Sequence, residues 1–464
     1  TDGFAVVGRS TWHAQQAARA MVVEWQPRPG VQLDSARILQ DLETTARDAA
    51  AHGGGFSFHE TGDGAAAWPE AARRVEAVYR APYLAHATME PQNCTAQVKD
   101  GRVDVWVPTQ VPGLARAVAA RVAGVPETQV TVHMTLVGGG FGRRLEVDVV
   151  GQAVRVALEC GGRPVQLLWS REEDFTHDFY RPAGAAVLRG GLDAQGRLSV
   201  LAITSAGDAV TPRWLQRNAP QLASPIDLPD KVSSDGLYNL PYAVPHQHMA
   251  HVATHSGVPV GNWRSVGHSH NAFFSESFID EMAFEARADP VAFRLALLAD
   301  RPRHAAVLKA AAEQSGWGSP LPAGLARGVA LHESFGSIVA QVLELALEAG
   351  KPRVRRVVCA IDCGTVLNPD IVTQQMEGSV VFGLSAALYG RIDVVGDAVQ
   401  QRNFPDQPLL TLRETPRIEV RIMPSTLPPT GVGEPAVPPV APALANALFA
   451  LTGRRVRELP IRSA

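Results

Sequence analysis

Glu434 stands in Gly431-Val432-Gly433-Glu434-Pro435, ahead of Pro438-Pro439 and an apolar run that reads as a helix. A carboxylate between a permissive glycine and a ring-closed proline can be aimed into a cavity, which is what a general base requires. The blander alternative is an acid placed to favour a helix N-terminus, and local pattern on its own favours that alternative. A second candidate is Gly138-Gly139-Gly140-Phe141-Gly142-Arg143-Arg144, between a strand and a helix. Its glycines let backbone N–H groups approach an anionic or oxo ligand, and its arginines would add charge. It matches neither the dinucleotide-binding nor the P-loop pattern, and a plain glycine turn explains it equally well. Gln110, after a strand and before Pro112-Gly113, can donate to an oxo group, although a loop glutamine is usually only solvated. Arg264, in Gly261-Asn262-Trp263-Arg264-Ser265-Val266-Gly267-His268-Ser269-His270, offers an anion contact. His268 and His270 lack a third metal ligand and read as polar cap residues. Asp362-Cys363-Gly364-Thr365-Val366-Leu367-Asn368-Pro369, followed by Gln375-Met376-Glu377-Gly378, is the last candidate.

Bulk properties narrow the classes. The 464 residues, 46% hydrophobic and 19% charged, suit a chain with a large core and about three domain-sized units. A formal charge of −3 gives no electrostatic case for nucleic acid. Apolar runs of about 18 residues, the length that spans a bilayer, do not occur. Thr1 leads directly into Gly3-Phe4-Ala5-Val6-Val7, read as a strand and not as a signal peptide, and the compartment is not legible. Cys94, Cys160, Cys359 and Cys363 are scattered, and none of the iron–sulfur spacings occurs. All four read as small buried hydrophobes.

Residues 4–25 read as strand, helix, strand, with Ser10 or Thr11 as cap. Residues 33–50 read as an exposed helix, and Gly53-Gly54-Gly55 opens a linker running to about Pro69. Strands are expected at 102–107, 130–135, 355–361 and 417–422. Helices are expected at 114–122, 146–159, after Ser269, at 291–298, 372–388 and 440–451. Phe274, Phe278 and Met282 would share one helix face. Asp289-Pro290 forms a cap and first helical residue, and Gly453 ends the last helix. Mixed strands and helices with several adjacent strands give the class α+β.

The order of the candidate segments carries more than any one of them. Met89-Glu90-Pro91, Thr109-Gln110, the 138–144 loop, Trp263-Arg264 to Glu281, 362–369 with Gln375-Met376-Glu377-Gly378, and 431–435 resemble xanthine-oxidase-type molybdenum hydroxylases. Trp169-Ser170-Arg171-Glu172-Glu173-Asp174-Phe175, His268-Ser269-His270-Asn271 and Gly453-Arg454-Arg455-Val456-Arg457 are similar to the large subunit of the isoquinoline 1-oxidoreductase and aldehyde oxidoreductase branch. The resemblance implies molybdenum held through a pterin dithiolene, in the cytosine dinucleotide form, with no protein ligand to the metal. It implies hydroxylation of an N-heteroaromatic compound or oxidation of an aldehyde with water as oxygen source. Gln110 would bond the apical oxo ligand, the backbone of Gly140, Phe141 and Gly142 would face the metal, and Gln375 would contact the pterin. Arg264 would lie near the pocket, and Glu434 would be the base. Electrons would pass to a separate [2Fe–2S] subunit, and a periplasmic location is implied.

The resemblance also implies domain limits. Residues 1–30 would end a small α/β hammerhead-like domain and 31–70 would be a helix and linker. Residues 71–300 would form a first molybdenum-cofactor-binding domain and 301–464 part of a second. Two departures stand out. Arg143-Arg144-Leu145 replaces the Gly-Lys-Glu of many relatives, which argues against purines as substrates. The Gly-Gln-Gly cofactor segment is absent from these residues, so a partner chain or a longer precursor is expected to carry it. A cofactor carrier or structural subunit without turnover is the competing expectation.

Overall fold

The computed structural model describes residues 3–24, 30, 32–224 and 229–461. Its strands begin with β1 (Phe56–Thr61), β2 (Arg73–Ala81), β3 (Asn93–Lys99), β4 (Arg102–Val107), β5 (Val130–Met134) and β6 (Val165–Leu168). β7 (Gly184–Leu192), β8 (Leu198–Asp208) and β9 (His246–Thr254) follow, then β10 (Leu325–Ser334), β11 (Ser337–Glu348) and β12 (Lys351–Asp362). Last come the short β13 (Val394–Val395) and β14 (Ala398–Val399), and β15 (Arg417–Ile422). They form sheets of order β5-β4-β3-β6, β1-β9-β8-β7-β2 and β10-β11-β12-β15, with β13 and β14 as a separate ribbon. The class is α+β, as expected.

Tight turns set the register of the second half. β10 and β11 are joined by Phe335-Gly336, and β11 and β12 by Ala349-Gly350, with φ positive at both residues of each pair. Such two-residue turns match the right-handed twist of the strands they join. Phe and Ala are poor signals for them, which is why β10 and β11 have no counterpart in the sequence reading, while the strand expected at 355–361 falls within β12. β7, β8 and β9 went unread for a related reason. β7 and β8 are buried on both faces over most of their length and show no alternation, while β9 is fully buried only in part.

The helix His268–Glu285 lies between two of these sheets and packs on β2, β7 and β10. Every residue from His268 to Ala283 is buried, so the expected one-sided face of Phe274, Phe278 and Met282 is only part of its contact surface. Its three buried acids are therefore paired. Glu276 takes Arg294 at 3.0 Å, Asp280 takes Arg455 at 2.7 Å and Glu281 takes Arg457 at 2.6 Å. The basic stretch 453–457 thus ties the end of the described chain to the central helix. Removing one partner would leave a buried uncompensated charge.

Three expectations need correction. Thr11–Ala20 is helical with Ser10 accepting from the His13 N–H, but Gly3–Gly8 and Met21–Glu24 form no strand. An apolar run becomes a strand only where a partner supplies hydrogen bonds and cover, and here Phe4, Val7, Met21 and Val22 are exposed. Trp25 lies outside the described residues. The helix Ser35–His52 is not simply exposed, because Leu42, Ala46 and Ala49 are buried and it packs on β7 and β8. The expected linker to Pro69 instead holds β1, an edge strand on β9, and the helix Gly64–Glu70.

Candidate active site

The loop after β5 opens the site. Gly139, Phe141 and Gly142 have φ of 104°, 54° and 103°. A Cβ on Gly142 would lie 1.8 Å from the Asn262 carbonyl oxygen, and one on Gly140 would lie 2.7 Å from Gln110 Oε1. At Gly142 glycine is therefore required by space as well as by angle, whereas Gly140 meets only the movable end of the Gln110 side chain. Gln110, exposed at the end of the strand–helix connection, accepts the Gly142 N–H through Oε1 at 3.2 Å and donates its own N–H to the Arg144 carbonyl at 3.0 Å. Its amide nitrogen has no partner among the described residues.

Arg143 and Arg144 do not supply charge to a ligand. They are 1% and 2% exposed and hold the loop from beneath. Arg143 forks onto Asp148 at 3.0 and 2.8 Å and lies 3.1 Å from Asp178. Burial works against its charge, but these carboxylates outweigh burial and hold its pKa above the ordinary value. Arg144 donates to the carbonyls of Gly139, Pro108 and Glu90 and to the Glu90 carboxylate at 2.9 Å. Burial lowers its pKa, partly offset by Glu90.

The facing wall comes from the turn at 263–267. Arg264 is 9% exposed and donates to the Gly433 carbonyl at 2.8 Å, to Ser379 Oγ at 2.8 Å and to Gln375 Oε1 at 3.2 Å. Burial lowers its pKa to about 10, while neighbouring Glu434 pulls the other way. Glu434 Oε1 accepts the Ser265 N–H at 2.9 Å, and the Ser265 hydroxyl donates to the Glu434 carbonyl at 2.8 Å. The helix that follows, Val440–Thr452, has no side-chain cap, so Glu434 is engaged by the 263–267 turn and not by that helix. Phe141, Phe382 and Trp263 complete the wall, with centroids 4.6 Å apart for Phe141–Phe382 and 4.7 Å for Trp263–Phe382.

Gln110, Gly140, Phe141, Gly142, Arg264, Gln375 and Glu434 thus meet in one place, joined through Arg264 and the aromatic wall. Three neighbours escaped the sequence reading. Ser379 and Phe382 lie one and two turns beyond Gln375 on the helix Pro369–Tyr389, a spacing that could have found them. Ser265 gave no signal beyond adjacency to Arg264. His268 and His270 are not caps. They lie in the first turn of a buried helix, with His268 Nδ1 2.8 Å from His332 Nε2.

Chemically, the site offers the side-chain amides of Gln110 and Gln375, a loop with glycine at 138, 139, 140 and 142, and a Glu434 carboxylate whose Oε1 alone is anchored by Ser265. That set suits a polar organic cofactor better than a protein-ligated ion. Among the described residues no three His, Cys, Asp or Glu side chains gather as a metal set.

Two family models, each described as "Molybdopterin cofactor-binding domain", match residues 49–298 and 322–416. The chain belongs to this family, within the molybdenum-cofactor proteins of the xanthine oxidase type. Isoquinoline 1-oxidoreductase subunit beta of Brevundimonas diminuta is 34% identical, matching 100% of this chain and 60% of that protein. The membrane-bound aldehyde dehydrogenase [pyrroloquinoline-quinone] of Gluconacetobacter polyoxogenes is 29% identical, over 100% of this chain and 62% of its own length. Quinoline 2-oxidoreductase from Pseudomonas putida 86 has the same fold, with a TM-score of 0.77 at 15% identity over 98% of this chain and 83% of that one. The chain therefore spans about three fifths of the two curated relatives named.

Proposed function

We propose that this chain is the cofactor-holding part of a molybdenum hydroxylase that acts on an N-heteroaromatic ring or an aldehyde. For each oxygen inserted from water, two electrons and two protons leave the substrate and water together. The observation that carries this reading is the meeting of Glu434 with Gln110, Gly140–Gly142, Arg264 and Gln375 around the aromatic wall. Gln110 and Gln375 are the residues to hold molybdopterin through their amides, with the glycine backbone admitting it closely. The chemistry supplied by the bound cofactor is activation of water at neutral pH and acceptance of an electron pair.

Within that frame each side chain has a definite task. Arg264 fixes the 433–434 backbone and keeps a cation beside Glu434. Phe141, Phe382 and Trp263 keep water from one flank of the cofactor space. Glu434 takes the proton from the attacking water oxygen as it bonds to the substrate carbon. The cytosine dinucleotide form of the cofactor, a periplasmic location, a small [2Fe–2S] subunit as electron acceptor, and a partner chain or segment bearing Gly-Gln-Gly belong to the same proposal. The relative named as a subunit beta supports the expectation of partner subunits.

Glu434→Gln, made in the loaded complex, tests the reading. It keeps shape and removes basicity, so turnover should fall about 10²-fold or more with molybdenum and pterin content unchanged. A fully active, fully loaded variant overturns the mechanism. Absence of molybdenum and pterin from the parent complex overturns the cofactor assignment.

A further inference from the structure

Two consecutive residues with side chains, Ser265 at φ 76° and Val266 at φ 42°, occupy the left-handed region in the 263–267 turn. That backbone is unfavourable for a residue with a Cβ, most of all for a β-branched valine. It persists only where the surroundings leave no alternative. Here both flanks are pinned. Before the pair, the Trp263 indole N–H donates to the Ala85 carbonyl at 3.1 Å, and the Asn262 carbonyl lies 2.7 Å from His86 Nε2. After it, the Gly267 N–H donates to the Val232 carbonyl at 3.1 Å, and a Cβ on Gly267 would lie 2.3 Å from that oxygen. The Ser269 hydroxyl holds the Val266 carbonyl at 2.7 Å. Ser265 itself is fully buried.

The two donors that this conformation aims outward both go to Glu434. The Ser265 N–H holds Oε1 and the Ser265 hydroxyl holds the Glu434 main-chain carbonyl. We propose that Ser265 is the positioning residue for Glu434, its left-handed backbone spending one carboxylate oxygen as an anchor so that Oε2 alone remains to take the proton. The inference rests on the reading of Glu434 as base. A right-handed or extended residue at 265 would turn its N–H away, and the carboxylate would be free to swing between its two oxygens.

Ser265→Gly removes the Cβ that makes the conformation costly, and with it the hydroxyl. Ser265→Ala keeps the backbone and the N–H but loses the hydroxyl. In the loaded complex, Ser265→Gly should lower kcat about 10-fold, with KM within about 2-fold and metal content unchanged. Ser265→Ala should lower kcat about 3-fold. A crystal structure of either variant should show the Glu434 carboxylate in more than one orientation. On a Glu434→Gln background, Ser265→Gly should cost nothing further, since it acts through Glu434. Parental kcat with a single Glu434 orientation in either folded variant overturns the proposal, as does an equal loss on the Gln background. If Ser265→Gly fails to fold, Ser265→Ala carries the same decision. An active Glu434→Gln enzyme would instead overturn the underlying reading of the base.

Discussion

Two left-handed turns face each other across the site, and they reach that geometry by opposite means. The 138–142 loop uses glycine at two of its three left-handed positions, and what it gains is emptiness, a backbone that another group can approach. The 263–267 turn uses serine and valine, and what it gains is a directed N–H and hydroxyl. Their supports differ too. The glycine loop rests on Arg143 and Arg144, whose charges are matched by Asp148, Asp178 and Glu90. The serine turn leads into a helix that opens on buried imidazoles, with His268 edge-on to His332 and joined to it at 2.8 Å. A glycine in a turn is thus evidence of something that must come close. A side chain tolerated at positive φ is evidence of something that must be held.

The comparison can be broken most severely at Gly142. Gly142→Ala would drive a methyl into the Asn262 carbonyl that links the two turns, at a φ unsuited to alanine. A loss of at least about 3 kcal/mol is expected, together with loss of bound cofactor. Denaturant unfolding and molybdenum analysis on one preparation check this, and a stable, loaded alanine variant would show that the loop is not space-limited.

A milder break is Arg264→Lys. Arg264 joins the turn to Gly433, Gln375 and Ser379 together. Lysine cannot present that planar fork, so roughly 2 kcal/mol should go with the unmet partners. Turnover should fall while the glycine loop keeps its hydrogen-exchange protection. Equal loss of protection in both turns would show that the two are one unit.

The smallest effect is one of pH. Burial moves His268 from its ordinary 6.5 to about 4, and His270 and His332 well below 6.5, so the folded helix start binds fewer protons than the unfolded chain. Stability from these groups is therefore full above about 6.5 and declines as pH falls from there toward about 4. The arginines under the glycine loop stay charged throughout this window. Hydrogen exchange, corrected for its intrinsic pH dependence, should accelerate at 268–272 on going from about pH 7 to about pH 5 and change little at 140–145. A uniform acceleration would remove the distinction between the two supports.

Much of the architecture was legible. Helices with strong ends were read to within a few residues, as with the Asp289-Pro290 start, whose aspartate accepts the N–H groups of Val291 and Ala292. Gly453 likewise ends the last helix in the left-handed conformation. Elements without local signals were missed, above all β10 and β11, whose turns use Phe335 and Ala349 where asparagine or aspartate would have announced them, while β12 was read only over 355–361. The apolar runs at 4–7 and 21–24 were over-read, because alternation and hydrophobicity say what a strand could bury and not whether a neighbouring strand pairs with it.

The site divides in the same way. By itself the sequence determined which groups were available. These were a carboxylate between glycine and proline at 434, a glycine loop at 138–142, a glutamine after β4 and an arginine at 264, in an order resembling one family. Only the tertiary structure decided what each one faces. Arg143 and Arg144 read as ligand-facing cations and are buried supports, because their carboxylate and carbonyl partners come from elsewhere in the chain. Ser265 read as nothing, and it grips Glu434 across a separation of 169 residues. Residue type sets the donors and charges a chain can offer. Their direction depends on backbone angles and on neighbours that become adjacent only when the core packs, and no one-dimensional spacing encodes that directly.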